Sequence, residues 1–165
     1  MSKQNRTIYE KKYLGAVSIW ETWLTEARAD SDGKAVEECT QIIDELKGKN
    51  TGLLQALDAY DAQGLGVTFV SGSNDSWAMI ILDATENTAT AQTSSFRYQL
   101  FDRRGFVGHG VYPSPYAAIA EVFDMGYAIT CASPLDELAS TEEWKQGMVV
   151  AEAAQNSWRT AAGGN

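Results

Sequence analysis

Residues 96–112, FRYQLFDRRGFVGHGVY, decide the fold class of this chain. Every second residue from Phe96 to Leu100 is apolar, which is the period of a β-strand with two different faces. The RRG sequence that ends at Gly105 has the composition of a tight turn, and a second strand returns from it. The stretch therefore predicts an antiparallel β-hairpin.

Two further β-rich segments precede the hairpin, GVTFVSG at 66–72 and SWAMIILD at 76–83. The second is a nearly continuous apolar run, which favours a strand in the centre of a sheet. Residues 84–95 are polar and predict a long hairpin loop that merges into a strand. A mainly antiparallel sheet is thus expected over 66–112, with a short strand near 127–130.

Apolar residues spaced by three and four positions predict helices on both sides of these strands. Thr7 with Glu10, and Ser140 with Glu143, have the spacing of capping boxes, and Ser114 precedes a proline that suits a helix start. Residues 48–52, GKNTG, predict a break between the second and third helices. The predicted helices are 8–28, 34–47, 53–63, 115–125 and 141–160.

These elements predict one α+β domain over residues 1–165, with an N-terminal helical hairpin packed with the sheet and C-terminal helices. Residues 1–6 and 161–165 are expected to be frayed ends. Large apolar residues on the helix stripes and strands are expected in the core or in a dimer interface. They are Trp20, Trp23, Leu24, Ile42, Leu57, Ile80, Leu82, Phe123 and Trp144.

The net charge of −9 is organised in blocks along the chain. No Lys or Arg occurs between Lys49 and Arg97, or between Gly105 and Trp144, although both gaps carry several carboxylates. A field of this sign repels nucleic acid and anionic membranes and attracts basic partners. We therefore expect binding to a basic protein, with no direct binding to nucleic acid or membrane.

The candidate partner-binding residues are the carboxylates of these two gaps together with the arginines that lie between them. The first choice is the C-terminal group, and the competing group lies earlier in the chain. Arg103 and Arg104 are included because they could hold phosphate or a carboxylate, although a charged hairpin tip also protects an edge strand from aggregation. The carboxylates are Asp136, Glu137, Glu142 and Glu143, then Asp58, Asp61, Asp83 and Glu86.

No pattern in the sequence predicts catalysis, a cofactor or a metal site. The glycine spacing of GFVGHGV at 105–111 differs from that of dinucleotide-binding loops. His109 is the only histidine, which excludes a two-histidine metal site within one chain. The turn that contains Asp30 and Asp32 lacks oxygen ligands where a calcium loop needs them.

Cys39 and Cys131 are far apart and have no metal-binding spacing, so two buried free thiols in a reducing compartment are expected. No apolar run approaches the 18 residues of a membrane-spanning helix, and the N-terminal segment lacks the pattern of a signal peptide. A cytoplasmic protein is the expectation.

Three classes of function remain open. The first is a non-enzymatic, acidic protein-binding module that inhibits or modulates a basic, nucleic-acid-binding protein. In composition alone, such chains are similar to the anti-restriction and anti-CRISPR inhibitors of phages and plasmids. The second is a small enzyme that uses His109 with nearby carboxylates and the Arg97, Arg103 and Arg104 cluster. The third is an oligomeric structural accessory protein, for instance a homodimer. The absence of a catalytic motif favours the first class.

Overall fold

The computed structural model of the chain describes residues 4–73, 75–83 and 95–162. The chain divides into two compact units, with the boundary between Ala62 and Gln63. The first unit is helical, and the second holds a five-stranded antiparallel sheet with further helices. The α+β class is confirmed. The single-domain organisation, with the helical hairpin packed on the sheet, stays a prediction.

The first unit consists of α1 (Gln4–Glu10), α2 (Leu14–Ala29) and α3 (Gly33–Gln63). The expectation of one helix over 8–28 with a capping box at Thr7 is wrong, because Thr7 lies inside α1 and a turn separates α1 from α2. The reason is non-local. Arg6 of α1 forms ion pairs with two carboxylates of α3, and local capping patterns do not register such contacts.

The predicted helix break at residues 48–52 is also wrong, since α3 is continuous for 31 residues. Its buried residues form one stripe that passes through this segment, from Ile43 through Asn50 to Leu53 and Leu57. A glycine costs a helix about 1 kcal/mol relative to alanine, whereas full burial of a leucine contributes about 1.5–3 kcal/mol. Burial therefore outweighs the local propensity.

The turn predicted at residues 29–33 is confirmed, and it also starts α3. The carboxylate oxygen Oδ1 of Asp32 accepts hydrogen bonds from the backbone N–H groups of Lys34 and Ala35, at 3.1 and 3.0 Å. Asp32 is thus the N-cap of a long helix, which gives this acidic turn a structural role.

In the second unit, the strands lie in the order β4-β3-β2-β1-β5, and every neighbouring pair is antiparallel. The predicted central position of the SWAMIILD strand is confirmed, because β2 is the middle strand. Most of the predicted loop at 84–95 lies outside the described residues. The strands are β1 (Thr68–Ser71), β2 (Ser76–Leu82), β3 (Phe96–Asp102), β4 (Gly105–Tyr112) and β5 (Tyr127–Cys131).

The register of the predicted hairpin sets which residues share a face of the sheet. Tyr98 pairs with Gly110, and Gln99 pairs with His109, so Tyr98 and His109 lie on opposite faces. The ring of Tyr98 covers Gly110 so closely that a Cβ there would lie 2.7 Å from the ring. Only a glycine at position 110 leaves room for the ring to lie against the strand.

Three helices complete the second unit: α4 (Pro115–Asp124), α5 (Leu135–Ala139) and α6 (Glu142–Ala162). Ser114 caps α4 as predicted, with its Oγ accepting a hydrogen bond from the N–H of Ala117 at 3.1 Å. The Ser140–Glu143 capping box is wrong. The cap of α6 is Thr141, whose Oγ1 accepts from the N–H of Trp144 at 3.2 Å, while the Ser140 hydroxyl donates to the carbonyl of Glu137.

The predicted core residues divide into three groups. Leu57, Ile80 and Trp144 are buried, as predicted, and four others are half-buried: Trp20, Leu24, Ile42 and Phe123. Trp23 and Leu82 are 48% and 46% exposed, so a core position is wrong for them, while a place in a dimer interface stays a prediction. Trp23 contacts Trp20 edge to face and leaves much of its surface in solvent, and Leu82 ends its strand.

Candidate functional site

The candidate carboxylates of the first unit are engaged in holding its helices together. The guanidinium of Arg6 donates to Glu10 at 2.7 Å and also to the carboxylates of Asp58 and Asp61. These bonds, chiefly the one to Asp58, raise the pKa of Arg6 despite partial desolvation, so Arg6 stays charged at any physiological pH. One cation therefore joins α1 to α3 and offsets one of the three negative charges at this place.

Of the remaining two residues of the competing group, the structure describes only Asp83, whose carboxylate is buried. The side chain of Asp83 is only 4% exposed and lies 4.0 Å from the guanidinium of Arg97. Glu86 lies outside the described residues. Asp83 also belongs to a different compact unit from Asp58 and Asp61. Residues that look like one acidic block in the sequence are therefore distributed among unlike environments.

The C-terminal candidates stand at the starts of two consecutive helices. Asp136 and Glu137 occupy the first turn of α5, and Glu142 and Glu143 occupy the first turn of α6. All four are exposed. Carboxylates near a helix N-terminus interact favourably with its unpaired N–H groups, so these positions also assist helix formation.

The four carboxylates differ in whether a basic side chain lies beside them. Glu142 lies 2.6 Å from the ammonium of Lys145, and Glu143 lies 3.7 Å from the guanidinium of Arg104. Among the side chains that the structure describes, Asp136 and Glu137 form no ion pair. The part of the chain from residue 63 onward carries 11 carboxylates against five Lys and Arg, a net charge of −6 out of −9. The free pair thus lies in the more acidic unit.

The predicted arginines are at the tip of the β3–β4 hairpin, and both are exposed. The backbone N–H of Arg104 donates to Oδ1 of Asp102 at 2.7 Å, which tightens the turn. Helix α6 crosses this tip so closely that a methyl group at Gly147 would overlap the carbonyl of Arg104. Close approach explains a glycine inside α6, where it would otherwise only weaken the helix.

Aromatic packing fixes α6 on the same end of the sheet. Trp144 is buried, and its ring contacts Phe101 and Phe106 edge to face at centroid distances of 6.3 and 5.3 Å. Trp77 stacks on the other side of Phe101 at 5.8 Å. These contacts hold the start of α6, with Glu142 and Glu143, against the hairpin, whereas α5 has no buried residue.

Between β4 and α6 lies an open groove of about 700 Å³, which the sequence did not predict. Its apolar surface comes mainly from Phe106, Val107 and Val150, which are 43%, 58% and 69% exposed. Asp102, Arg104 and Glu143 form its charged rim. A signal was present in the sequence: GFVGHGVY and the neighbouring valines 149 and 150 carry apolar side chains that no predicted stripe uses.

The candidate enzyme residues are not brought together. His109 is exposed on β4, opposite Gln99, and Asp102 lies at the hairpin tip opposite Gly105. Glu121 of α4 is close enough to Tyr112 to raise its pKa, and Tyr112 shares a face with Tyr98, so Glu121 lies beyond the sheet from His109. No carboxylate partner of His109 is present in the described residues.

In the described ranges, no group of three or more His, Cys, Asp and Glu side chains is positioned to hold a metal ion. Cys39 is buried and Cys131 is half-buried, and both are free thiols. None of the described helices combines the length and the apolar composition that crossing a bilayer requires. No protein-family model, curated protein or solved structure matches this chain.

Proposed function

We propose that this protein is a non-enzymatic binding module that uses its acidic surface to dock on a basic protein and inhibits or modulates it. The partner is a protein whose basic surface holds nucleic acid, because such a surface has the charge that complements this one. By composition, the protein suits the class of phage or plasmid inhibitors that act on restriction or CRISPR systems.

The single observation that carries the proposal is that Asp136 and Glu137 are exposed and form no ion pair with any side chain that the structure describes. Carboxylates that are already paired, such as Asp58 and Asp61, gain little from a new cation. Exposed carboxylates without a cation beside them are left to attract an approaching basic surface. Charge of this kind speeds the encounter of two proteins and fixes their orientation.

A capture experiment tests this function. The protein is immobilised and exposed to nuclease-treated cell lysate at about 0.05 and 0.5 M salt, where screening differs several-fold. We expect basic nucleic-acid-binding proteins to be retained at low salt and released at high salt. The captured protein should then lose nucleic-acid binding when the acidic protein is added.

The matched control is the D136K/E137K variant, which should fold normally and retain much less of the same proteins. Retention that is the same for this variant and insensitive to salt would contradict the proposal.

The exposed apolar side of α2 favours a second candidate function, self-association as an oligomeric accessory protein. Trp23 and Ile19 lie one turn apart on this helix, and about half of each side chain is exposed. Sedimentation velocity from about 1 to 100 μM, the range in which weak dimers form, distinguishes the two functions. A dimer that Trp23→Ser dissociates would support self-association.

A further inference from the structure

Strand β4 is an edge strand whose outer side has no neighbouring strand in the described sheet. Natural proteins usually protect such edges with charged residues or proline. Residues 105–112 contain neither, and the exposed Val107 and Val111 add apolar surface along the edge. No strand of the described sheet pairs with the backbone N–H and C=O groups that point outward from β4, so they could pair with another extended chain.

The edge has one irregular and one regular part. Phe101 pairs with Phe106 and Leu100 pairs with Gly108, so Val107 is the additional residue of a β-bulge. From Gly108 to Tyr112 the pairing with β3 is regular. Five residues extend for about 17 Å, which is the length of an ordinary strand in a sheet.

The groove between β4 and α6 adjoins the hairpin-tip end of this edge, at Phe106 and Val107, and provides side-chain recognition there. Val107 on the strand and Val150 on the helix are both lining residues and both largely exposed. Successive side chains of an added strand point to opposite faces, so every second one would face α6. Apolar side chains at those positions would cover the exposed valines.

We propose that the partner contributes an extended segment that adds to β4 as a sixth strand, with alternating apolar residues over the groove and basic residues toward the acidic turns. The proposal rests on the function proposed above and names the part of the partner that is recognised. Main-chain hydrogen bonds along the edge would give affinity, and the groove would give specificity.

The negative charge of the groove rim and of the whole chain favours a basic segment over a second copy of this chain. The groove rim has two carboxylates and one guanidinium, and the free Asp136 and Glu137 belong to the helix that leads into α6. A second copy would bring another net charge of −9 to an already acidic unit, and like charges oppose association. A segment with lysine or arginine between its apolar residues complements both the groove rim and the carboxylates of Asp136 and Glu137.

The test uses a labelled 12-residue peptide in which valine and lysine alternate, with a valine–threonine peptide of the same length as the neutral control. Binding is followed by fluorescence anisotropy, and hydrogen exchange of the full chain locates the contact. We expect the lysine peptide to bind more tightly than the neutral one, and to slow amide exchange in Gly108–Tyr112.

Two edge variants provide the matched comparison. Val107→Glu alters β4 and Ile129→Glu alters β5, the opposite edge strand, and the two native side chains are almost equally exposed, at 58% and 57%. We expect Val107→Glu to weaken peptide binding at least tenfold and Ile129→Glu to change it less than twofold. Because the two variants gain the same charge, a difference between them reports the location of the peptide.

Each outcome of these experiments supports or overturns the proposed addition of a strand to β4. Equal effects of the two variants, or no protection of Gly108–Tyr112, would overturn the assignment of β4. A dimer of the chain that Val107→Glu dissociates would also overturn it, since β4 would then be occupied by a second copy. If D136K/E137K weakens capture of the basic proteins while Val107→Glu does not, the proposed function stands and only the added strand is wrong.

Discussion

Asp58 and Asp61 differ from Asp136 and Glu137 in what surrounds them, although each pair lies in a stretch of sequence without Lys or Arg. The first pair is bound by Arg6, which lies more than 50 residues away in sequence. The second pair has no basic partner among the described side chains. Charge that holds helices together and charge that is left for a partner therefore look the same in the sequence.

The two compact units also keep their helices in place by different means. In the first, ion pairs of Arg6 connect α1 to α3. In the second, aromatic packing of Trp144 and the close approach at Gly147 connect α6 to the hairpin. Substitution of Trp144 should therefore affect stability through packing, and substitution of Arg6 through charge.

The largest effect is expected at Trp144. Replacement by alanine removes its contacts with Phe101 and Phe106 and should lower the free energy of unfolding by about 3–5 kcal/mol, as for other buried tryptophans. Trp20→Ala should cost clearly less, because Trp20 is half-buried. Urea denaturation of both variants measures the difference, and an equal or larger loss at Trp20 would contradict the account of the second unit.

The next largest change in stability is expected when two glycines inside helices are each replaced by alanine. Gly147→Ala places a methyl group against the Arg104 carbonyl and should destabilise the protein by about 1–3 kcal/mol. Gly48→Ala is the control, since nothing lies within 4 Å of a Cβ there. It should stabilise α3 by up to about 1 kcal/mol. Thermal unfolding that shifts in the same direction for both variants would show that α6 does not approach the hairpin tip as described.

Arg6 provides the corresponding test of the first unit. Arg6→Ala should lower stability by about 1 kcal/mol, because the carboxylates of Asp58 and Asp61 are more than one third exposed and solvent screens such pairs. Hydrogen exchange should become faster in α1 and remain unchanged in α6. When stability is measured in 1 M salt, Arg6→Ala should lower the free energy of unfolding by a smaller amount. Unchanged exchange in α1 would mean that the ion pairs do not hold it.

A smaller effect is expected at alkaline pH. Burial, with a contribution from Asp61, raises the pKa of Tyr60, and burial, with Glu121, raises that of Tyr112. The folded state then retains protons that the unfolded chain releases near pH 10, so this stabilisation is present below pH 10 and is lost as pH rises further. Burial also raises the pKa of the Cys131 thiol, so its contribution to stability is lost as the pH rises above about 9.

Urea unfolding at pH 8 and pH 10.5 measures this loss. Tyr60→Phe and Tyr112→Phe should each make the stability less dependent on pH over this interval. A dependence that neither substitution reduces would show that these tyrosines do not cause it.

The sequence was sufficient where local patterns decide structure. Alternation set the faces of the hairpin, the apolar run identified the central strand, and Ser114 before a proline marked the start of α4. The sequence was insufficient where contacts between residues far apart in the chain determine the structure. Arg6 connects α1 to α3, the buried stripe around Asn50 carries α3 through two glycines, and Gly147 fits α6 to the hairpin.

The candidate site was predicted only in part for the same reason. All four C-terminal carboxylates are exposed at helix starts. The Glu142–Lys145 pair is local, but the sequence could not show that Arg104 lies beside Glu143 while no described cation lies beside Asp136 or Glu137. The groove beside β4 requires two elements separated by about 40 residues, so no local pattern contains it.

The most direct test of the central claim measures the association rate constant with the captured basic partner for two neutralised variants. D136N/E137Q and D58N/D61N each remove two negative charges, so they differ only in where the charge is lost. At about 0.05 M salt, where steering is strong, D136N/E137Q should slow association about threefold or more and leave the unfolding midpoint unchanged. D58N/D61N should leave association nearly unchanged and lower the midpoint. Equal slowing by both variants, or the reverse order, would contradict the claim that Asp136 and Glu137 carry the recognition.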